Sequence, residues 1–423
     1  MKRSSQISGF YKLPPEERLE IVQRFADLSS EEVQILSSTG GITFEQADRM
    51  IENVVGVMPV PVGIAVNFLI NGRDYLIPMA IEEPSVVAAA SYAAKMARST
   101  GGFTAHTTGS VMIGQVQIVN ISDPHGARMA IFQAKEEILT KANEQDPVLV
   151  SFGGGAKDLQ TRIIHTSSGP MVIVEVLVDC KDAMGANAVN TMTEAIAPFL
   201  ERVTGGQVYL RIISNLAINR LARAKVVIPK DVIGGASVVE GIILAYAFAA
   251  ADSFRCATHN KGIMNGISAV VLATGNDTRA IEAGAHAYAA LSGRYQPLTA
   301  WEQNVAGDLV GTIELPLAVG LVGGATRAHP VARTLVKILG VTSAVEFAEV
   351  LACVGLAQNL AALRALANEG IQRGHMALHA RNIAVEAGAT EDQIDRVVRQ
   401  MIEDRMIRSD RLKQILLDMS STS

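Results

Sequence analysis

The stretch that decides the fold is VMIGQVQIVNI, residues 111–121, in which Gln115 and Gln117 lie two positions apart on one face. Alternation of this kind predicts a strand with one polar and one apolar face. Five further segments are predicted as helix, strand, strand, helix and strand: residues 128–142, 159–164, 171–178, 187–203 and 208–213. The resulting order, β-α-β-β-α-β, predicts a ferredoxin-like arrangement.

Around this module the chain is predicted to be mainly helical. The expected fold class is α+β, with the ferredoxin-like unit inserted into a helix-rich large domain. Asn71 and Gly72 between two apolar runs are a strong hairpin signal. Helices are predicted over residues 86–96, 238–251, 279–291, 330–339 and 345–366, and a strand over residues 312–317. The domain prediction is residues 1–107 and 216–371 for the large domain, 108–215 for the small domain and 372–423 for a C-terminal helical section, with helices over 376–386, 391–406 and 410–419.

The composition is that of a soluble chain with much apolar surface to bury. Hydrophobic residues make up 49% of the 423 residues and charged residues 19%, which indicates extensive subunit interfaces or a large core. The longest apolar runs fall short of the ~20 residues that span a bilayer, and the N-terminus lacks an apolar signal segment. A formal charge of −5 without a basic block argues against nucleic acid as a partner. Three scattered cysteines fit a reducing compartment, so a cytoplasmic location is expected.

One lysine lies among glycines and amides in THNKGIMNG, residues 258–266, and Asp277 follows soon after. Burial would depress the pKa of Lys261, whereas a neighbouring carboxylate such as Asp277 would hold the charge on it. A positioned ammonium suits chemistry in which a carbonyl oxygen gains negative charge. The alternative is an ordinary Lys–Asp pair on a glycine-rich turn, and these residues alone favour that alternative.

Other chemistries have weaker signals. The chain contains no G-x-G-x-x-G, P-loop or nucleophile-elbow motif. Cys256 could be a nucleophile with His259 as its base, although a lone cysteine is more often a small core residue. His375 and His379 are four residues apart, but the acidic residue that usually completes a metal motif is missing, so no metal is predicted. The segment DAMGAN, residues 182–187, precedes a predicted helix and is the best candidate for an anion site.

Several ordered segments together resemble the class II (bacterial and archaeal-type) 3-hydroxy-3-methylglutaryl-CoA reductases. They are ENVVG at 52–56, PVG at 61–63, EEPS at 82–85, DAMGAN at 182–187, HNKG at 259–262, GND at 275–277, GLVGGAT at 320–326 and GHM at 374–376. Because these segments are spread over nearly the whole chain, a chance match is very improbable.

The resemblance implies that a coenzyme A thioester is reduced to an alcohol with two nicotinamide hydrides, or that mevalonate is oxidised in reverse. It implies that Lys261 polarises the thioester carbonyl and that Glu83 exchanges a proton with its oxygen. Asp277 resembles the aspartate that tunes both groups, and His375 the acid that protonates the departing thiolate. The implied substrate contacts are Ser85, Asn215, Arg255, Asn265 and Gln358. The implied cofactor loop consists of Asp182, Ala183, Met184, Gly185, Ala186 and Asn187.

The resemblance also implies a choice of cofactor and an assembly. Asp146 matches an acidic residue that would accept the ribose hydroxyls of NAD and repel a 2′-phosphate, so NAD(H) is favoured, with NADP(H) possible. The implied assembly is a homo-oligomer built from dimers whose active sites are completed across the interface. Residues 372–423 would then form a mobile flap that carries His375 over the ligands. Arg381 occupies the position of a regulatory serine in the eukaryotic branch, so inhibition by phosphorylation there is not expected.

Two other functions remain open at this stage. One is a coenzyme A-dependent acyl transferase that uses Cys256 as its nucleophile. The other is a non-catalytic scaffold in which the ferredoxin-like insert senses a ligand. The sequence also leaves open the direction of the reaction in the cell.

Overall fold

The computed structural model describes residues 3–39, 41–368, 380, 383–384, 389–404 and 406–420, and it has the predicted α+β fold. The helices are α1 Pro15–Ala26, α2 Ser30–Ser37, α3 Phe44–Asp48, α4 Val86–Ala97, α5 Pro124–Gln133, α6 Lys135–Asn143, α7 Pro147–Ser151, α8 Ala186–Thr204, α9 Lys230–Ile233, α10 Ala236–Ala251, α11 Ser253–Ala273, α12 Thr278–Ala289, α13 Gly324–Ala328, α14 Pro330–Leu339, α15 Ala344–Asn368, α16 Glu391–Glu403 and α17 Ser409–Ser420. The strands are β1 Val62–Ile70, β2 Arg73–Ala80, β3 Thr104–Thr107, β4 Val111–Val119, β5 Gly155–Thr166, β6 Gly169–Asp179, β7 Gln207–Ser214, β8 Leu221–Ile228, β9 Thr299–Gln303 and β10 Leu309–Pro316. The helix predicted over residues 376–386 lies largely outside the described residues.

The strand order of the small sheet is consistent with the ferredoxin-like prediction. Strands β4 to β7 form one antiparallel sheet in the order β5-β6-β4-β7, as the β-α-β-β-α-β sequence requires. The first predicted helix is in fact two helices, α5 and α6, which meet at Ala134, and the short α7 follows them. Helix α8 packs closely on β4 because Gly114 presents no side chain there. A Cβ at Gly114 would lie 2.5 Å from Thr193 and 2.7 Å from Val189.

The hairpin prediction is also confirmed. Strands β1 and β2 pair around Asn71 and Gly72, which have φ of 48° and 78°. Positive φ at both positions is the geometry of a type I′ turn, which matches the twist of the paired strands. After β2 the chain runs through residues 82–85 into α4, which packs against β1. The hairpin therefore carries residues 82–85 to the surface of the helical core.

A second four-stranded sheet, in the order β3-β8-β10-β9, was predicted only at β10. Strand β8 is a central strand, since it pairs antiparallel with both β3 and β10. Its sequence LARAKVVI lies in a region that is predicted to be mainly helical, and no strand is predicted there. Tertiary pairing decides in favour of the strand here, because alternate residues of β8 are buried in the sheet.

The glycine-rich turn predicted at residues 258–266 is wrong, because these residues lie in the middle of the 21-residue helix α11. Ile263, Ile267 and Val270 recur at helical spacing and are fully buried. Gly266 allows α11 to approach α15 closely, since a Cβ there would lie 3.0 Å from the Cβ of Gln358. The glycine thus serves the packing of two helices rather than a turn.

Helix α15 is long and apolar enough, by length and composition alone, to cross a membrane. Of its apolar window, 67% is buried inside the protein, where it contacts α4, α10 and α11. Helices α16 and α17 pack against each other in a separate apolar cluster that includes Val397 and Leu412.

Candidate functional site

The centre of the candidate site is an ion pair between two distant parts of the chain. Lys261 Nζ on α11 lies 3.0 Å from Glu83 Oε2, which belongs to the turn between β2 and α4. Asn265, one helical turn after Lys261, donates to the same carboxylate oxygen at 3.4 Å. The Lys261 side chain is 62% exposed, so its charge faces solvent and can reach a ligand. The sequence left open a buried lysine or a lysine paired with a carboxylate such as Asp277, and the structure shows an exposed Lys261 paired with Glu83.

Ser85 lies two residues after Glu83 and has a strained backbone. Its φ of 77° is in the left-handed region, which a residue with a side chain seldom adopts. It occupies the N-cap position of α4, yet its hydroxyl makes no capping bond. Strain of this kind concentrates at ligand-binding positions, where the surrounding structure maintains it. The Ser85 hydroxyl thus does not cap α4, although the residue lies two positions after Glu83.

A cleft of about 640 Å³ opens beside Lys261 and Asn265. Its opposite wall is α12, which contributes Arg279, Glu282 and His286. The cleft volume is within the range of small-molecule sites. Two cationic side chains, Lys261 and Arg279, and two carboxylates, Glu82 and Glu282, therefore surround one open space.

A hydrogen-bonded cluster on this wall was not anticipated. Glu282 accepts from the Ser268 hydroxyl, and its other oxygen lies 3.0 Å from His286 Nε2. The second ring nitrogen of His286 lies 2.7 Å from the Tyr295 hydroxyl. Burial favours the neutral acid, but the bonds from His286 and Ser268 outweigh it and hold the pKa of Glu282 below its usual value. The signal was the spacing of Glu282 and His286, four residues apart on a predicted helix.

Asp277 is the N-cap of α12. Its carboxylate accepts from the backbone of Arg279 at 2.9 Å and of Ala280 at 3.2 Å, and it pairs with the Arg279 side chain. Burial would raise its pKa, but these hydrogen bonds and the guanidinium lower it overall. Asp277 thus lies at the edge of the cleft, held by Arg279 rather than by Lys261 or Glu83. Its predicted link to both residues stays a prediction.

The DAMGAN loop leads directly into α8 and fits a dinucleotide. Gly185 is the N-cap of this 19-residue helix, with φ of 107°, and it offers no side chain to occupy the helix terminus. Free backbone N–H groups and the helix dipole favour a phosphate at such a terminus. Asn187 in the first turn is exposed. Asp182 does not point to this terminus, because its carboxylate accepts from Ala344 N at the start of α15 at 2.8 Å.

Asp146 is the N-cap of α7, where it accepts from Leu149 N at 2.9 Å. A Cβ at Gly154 would lie 2.6 Å from Leu149 Cδ1 of α7 and 2.7 Å from the carbonyl oxygen of Asp179 at the end of β6, so Asp146 belongs to the same end of the small sheet as the DAMGAN loop. One carboxylate oxygen caps the helix. The negative charge of the Asp146 carboxylate remains available to a ligand at this end of the small sheet.

Two predicted substrate contacts border the same helices. Gln358 on α15 packs against Gly266, and its Oε1 is buried without a hydrogen-bond partner among the described residues. An orphaned buried acceptor is costly, which fits a donor supplied by a ligand. Asn215 is exposed, and its backbone carbonyl lies against Gly284 of α12.

The remaining predicted contact, Arg255, is half-buried in the first turn of α11, and its backbone N–H donates to Asp252 at 2.7 Å. His375 and His379 fall outside the described residues. Within the described parts of the chain, no three His, Cys, Asp or Glu side chains are grouped so as to hold a metal ion.

The geometry does not support Cys256 as a nucleophile. Its thiol is fully buried, and burial raises its pKa to about 11. Burial also lowers the pKa of His259 to about 4, and its Nε2 bonds to Thr299 at 2.7 Å rather than to the thiol. A reactive cysteine requires an accessible thiolate beside a base or cation.

Comparison with known proteins gives the same family throughout. A family model described as hydroxymethylglutaryl-coenzyme A reductase matches residues 14–380. The reductase of Archaeoglobus fulgidus is 64% identical over 413 residues, which cover 98% of this chain and 94% of the relative. A probable reductase of Borreliella burgdorferi is 39% identical over 347 residues, or 79% of this chain and 77% of the relative.

Solved structures agree. A class II reductase from Streptococcus pneumoniae, bound to NADPH in open conformations, has a TM-score of 0.82 and 41% identity, over 96% of this chain and all of the other. A second structure from that organism has a TM-score of 0.84, with 97% of this chain and 99% of the other covered. The class of protein that these matches define is an oxidoreductase. More particularly, the chain belongs to the hydroxymethylglutaryl-coenzyme A reductase family, in its class II branch. Its activity is the interconversion of hydroxymethylglutaryl-CoA with mevalonate and coenzyme A.

Proposed function

We propose that the Lys261–Glu83 pair is the catalytic centre of this reaction. The observation that carries the proposal is the 3.0 Å contact between side chains 178 positions apart, at the mouth of a cleft large enough for a ligand. An ammonium directed at a thioester carbonyl stabilises the negative charge that its oxygen gains during reduction. Glu83, in contact with that ammonium, is placed to exchange a proton with the same oxygen.

The cofactor is proposed to bind at the DAMGAN loop, with its phosphates at the N-terminus of α8. A reduced nicotinamide bound there would supply one hydride to the thioester carbon. A second reduced nicotinamide, exchanged for the oxidised first, would supply another to the aldehyde carbon. Glu83 takes back the hemithioacetal proton as the carbon–sulfur bond breaks, and His375 is proposed to protonate the thiolate. Asp277 is proposed to tune the pair from the edge of the cleft, and Ser85, Asn215, Arg255, Asn265 and Gln358 to hold the substrate.

We favour NAD(H) over NADP(H) because Asp146 places a negative charge at the DAMGAN end of the small sheet. The Streptococcus relative binds NADPH, so the choice needs a direct test. Asp146→Asn is expected to lower the preference for NADH over NADPH about tenfold in kcat/KM, or about 1.4 kcal/mol. Asparagine keeps the oxygen that caps α7 and removes only the charge.

The control for this test is Asp123→Asn. Asp123 caps α5, which also belongs to the small domain, and its carboxylate accepts a 2.9 Å hydrogen bond from Gly126 N. Both variants are compared with wild type under saturating thioester, with each cofactor in turn. An unchanged preference in Asp146→Asn would show that another residue sets the choice.

The assembly is proposed to be a homodimer or a larger oligomer of dimers. Leu244 and Phe248 share one face of α10 and are 62% and 57% exposed, and Phe254 at the start of α11 is 89% exposed. Exposed apolar surface of this extent is typical of a protein interface. Phe248→Glu is expected to shift the sedimentation coefficient from dimer towards monomer, since a charge would be buried between subunits.

Met129→Glu on α5 is the matched control, because Met129 is 60% exposed and lies outside this patch. If both variants sediment like the wild type, the interface lies elsewhere. Loss of activity in Phe248→Glu together with dimer dissociation would support an active site completed between subunits.

The domain division is part of the same proposal: a large domain of residues 1–107 and 216–371, a small domain of 108–215 and a flap of 372–423. The separate sheets support it, because among the described strands β4 to β7 pair with one another and with no other strand. A cytoplasmic location is likewise proposed. Cys180, Cys256 and Cys353 are all free thiols, as expected for a reducing compartment.

The experiment that tests the function measures nicotinamide oxidation and thiol release together, with hydroxymethylglutaryl-CoA as substrate. The expected stoichiometry is two nicotinamides per thiol. Thiol release without oxidation of the cofactor would instead indicate hydrolysis or acyl transfer.

A further inference from the structure

A buried arginine lies under the proposed cofactor loop, outside the groups discussed so far. Arg220, in the segment that precedes β8, is only 3% exposed. Its guanidinium donates to the carbonyls of Ala183 and Met184, both at 3.1 Å, and to the carbonyl of Val319. Buried arginines usually pair with a carboxylate, whereas this one is directed at three backbone carbonyls.

The three carbonyls belong to two separate segments. Ala183 and Met184 are in the DAMGAN loop, and Val319 precedes Gly320 in the segment after β10. The backbone joins the same segments, since Leu321 N donates to the Asp182 carbonyl at 2.8 Å. A guanidinium has several donors in a rigid fork, so it can hold both segments at one fixed separation.

Gly320 approaches the backbone of the same two loop residues, Ala183 and Met184. A Cβ at Gly320 would lie 2.5 Å from Met184 N and 3.0 Å from the carbonyl carbon of Ala183. Because those atoms are backbone, a side chain could be accommodated only if the loop moved. Arg220 and Gly320 therefore determine the position of the same two residues, one by hydrogen bonds and the other by close approach.

This junction is connected to the catalytic region. Gly320 N donates to Asn276 Oδ1 at 2.8 Å, and Asn276 directly precedes Asp277. Asp182 in turn bonds to the start of α15, the helix that carries Gln358. A shift of the loop would thus change where the cofactor lies relative to the cleft, without altering any side chain of the Lys261–Glu83 pair.

We propose that Arg220 is a positioning residue that fixes the DAMGAN loop for the nicotinamide cofactor, with Gly320 as its steric counterpart. The inference rests on the proposed function, in which that loop binds the cofactor. Arg220 touches neither substrate nor cofactor in this account, and it acts through the carbonyls of Ala183 and Met184.

The test is a comparison of KM for NADH with KM for the thioester in the full chain. Arg220→Lys keeps the charge but cannot reproduce the fork. It is expected to raise KM for NADH about tenfold, equivalent to about 1.4 kcal/mol, while KM for hydroxymethylglutaryl-CoA stays unchanged. Gly320→Ala is likewise expected to raise KM for NADH and to leave KM for hydroxymethylglutaryl-CoA unchanged. This variant tests the proposal independently if Arg220→Lys does not fold.

Two further variants make the outcome decisive. Arg98→Lys is the control for the loss of a half-buried guanidinium, because Arg98 bonds to Asp74 and to the Asn67 carbonyl, in the β1–β2 region. It should lower the thermal midpoint and leave both KM values unchanged. Asn187→Ala is the reference for the loop, since its side chain is exposed there.

The inference is overturned by the following result. Asn187→Ala raises KM for NADH, whereas Arg220→Lys and Gly320→Ala either raise KM for NADH and KM for the thioester equally or leave both unchanged. Arg220 would then have a purely structural role. If Asn187→Ala leaves KM for NADH unchanged, the loop is not the cofactor site. In that case the proposed function of the loop fails, and the inference fails with it.

Discussion

Replacing Lys261 with alanine is expected to lower kcat for thioester reduction by about 10² to 10³-fold, the usual effect of removing one donor that stabilises an oxyanion. The physical reason is that the ammonium beside Glu83 is the cation closest to that carboxylate in the described structure. Stability should change little, because an exposed ion pair contributes about 0–1 kcal/mol to the free energy of unfolding. Steady-state kinetics and thermal unfolding of the same preparation separate the two effects.

Lys337→Ala is the matched control. Lys337 Nζ lies 2.6 Å from Glu32 Oε2 on the surface, so this variant also removes one lysine from a close Lys–Glu pair. Its kcat should equal that of the wild type. If Lys261→Ala turns over as fast as Lys337→Ala, then Lys261 has no role in the reaction.

Replacing Glu83 with glutamine is expected to lower kcat by about 10² to 10⁴-fold, the range for loss of a general acid–base group. Glutamine has nearly the same size and keeps an oxygen that can accept from Lys261 and Asn265. It cannot exchange a proton with the substrate. The loss should therefore appear in kcat, with KM for the thioester changed only slightly.

Glu32→Gln is the control for Glu83→Gln, since it makes the same change in the surface pair. Reduction of the free aldehyde gives a second check, because it omits the step in which thiolate leaves. A Glu83→Gln variant that is slow with thioester and with aldehyde fits a proton exchanged in both steps. Full activity of Glu83→Gln with the thioester or with the aldehyde would show that Glu83 exchanges no proton in the reduction of that substrate.

The fold was predictable where local signals agree with tertiary structure. Asn71 and Gly72 specify their turn through backbone conformation alone, and the alternation in residues 111–121 specifies a half-exposed strand. Helix α11 was missed because its glycines and amides resemble a loop. The structure gives several of them long-range partners: Gly266 packs on α15, and Asn260 bonds to the Gln296 carbonyl and to Leu298 N. No local pattern contains that information.

The site was predictable only through family resemblance. Nothing in the spacing of Glu83 and Lys261 indicates that they meet, because the contact depends on the hairpin, α4 and α11 packing together. Arg220 lacked any signal, since its partners are backbone carbonyls. Glu282 and His286 could have been found from their helical spacing, whereas the bond from Ser268 to Glu282 requires the packing of α11 on α12.

The central claim is that Lys261 and Glu83 act as one unit on the same carbonyl oxygen. A double-mutant cycle on kcat for thioester reduction, with Lys261→Ala, Glu83→Gln and the combined variant, tests it most directly. Residues that act as a unit are strongly non-additive, so the combined variant is predicted to be no slower than the slower single variant. Losses that multiply in the combined variant would show that the two residues act independently and would contradict the claim.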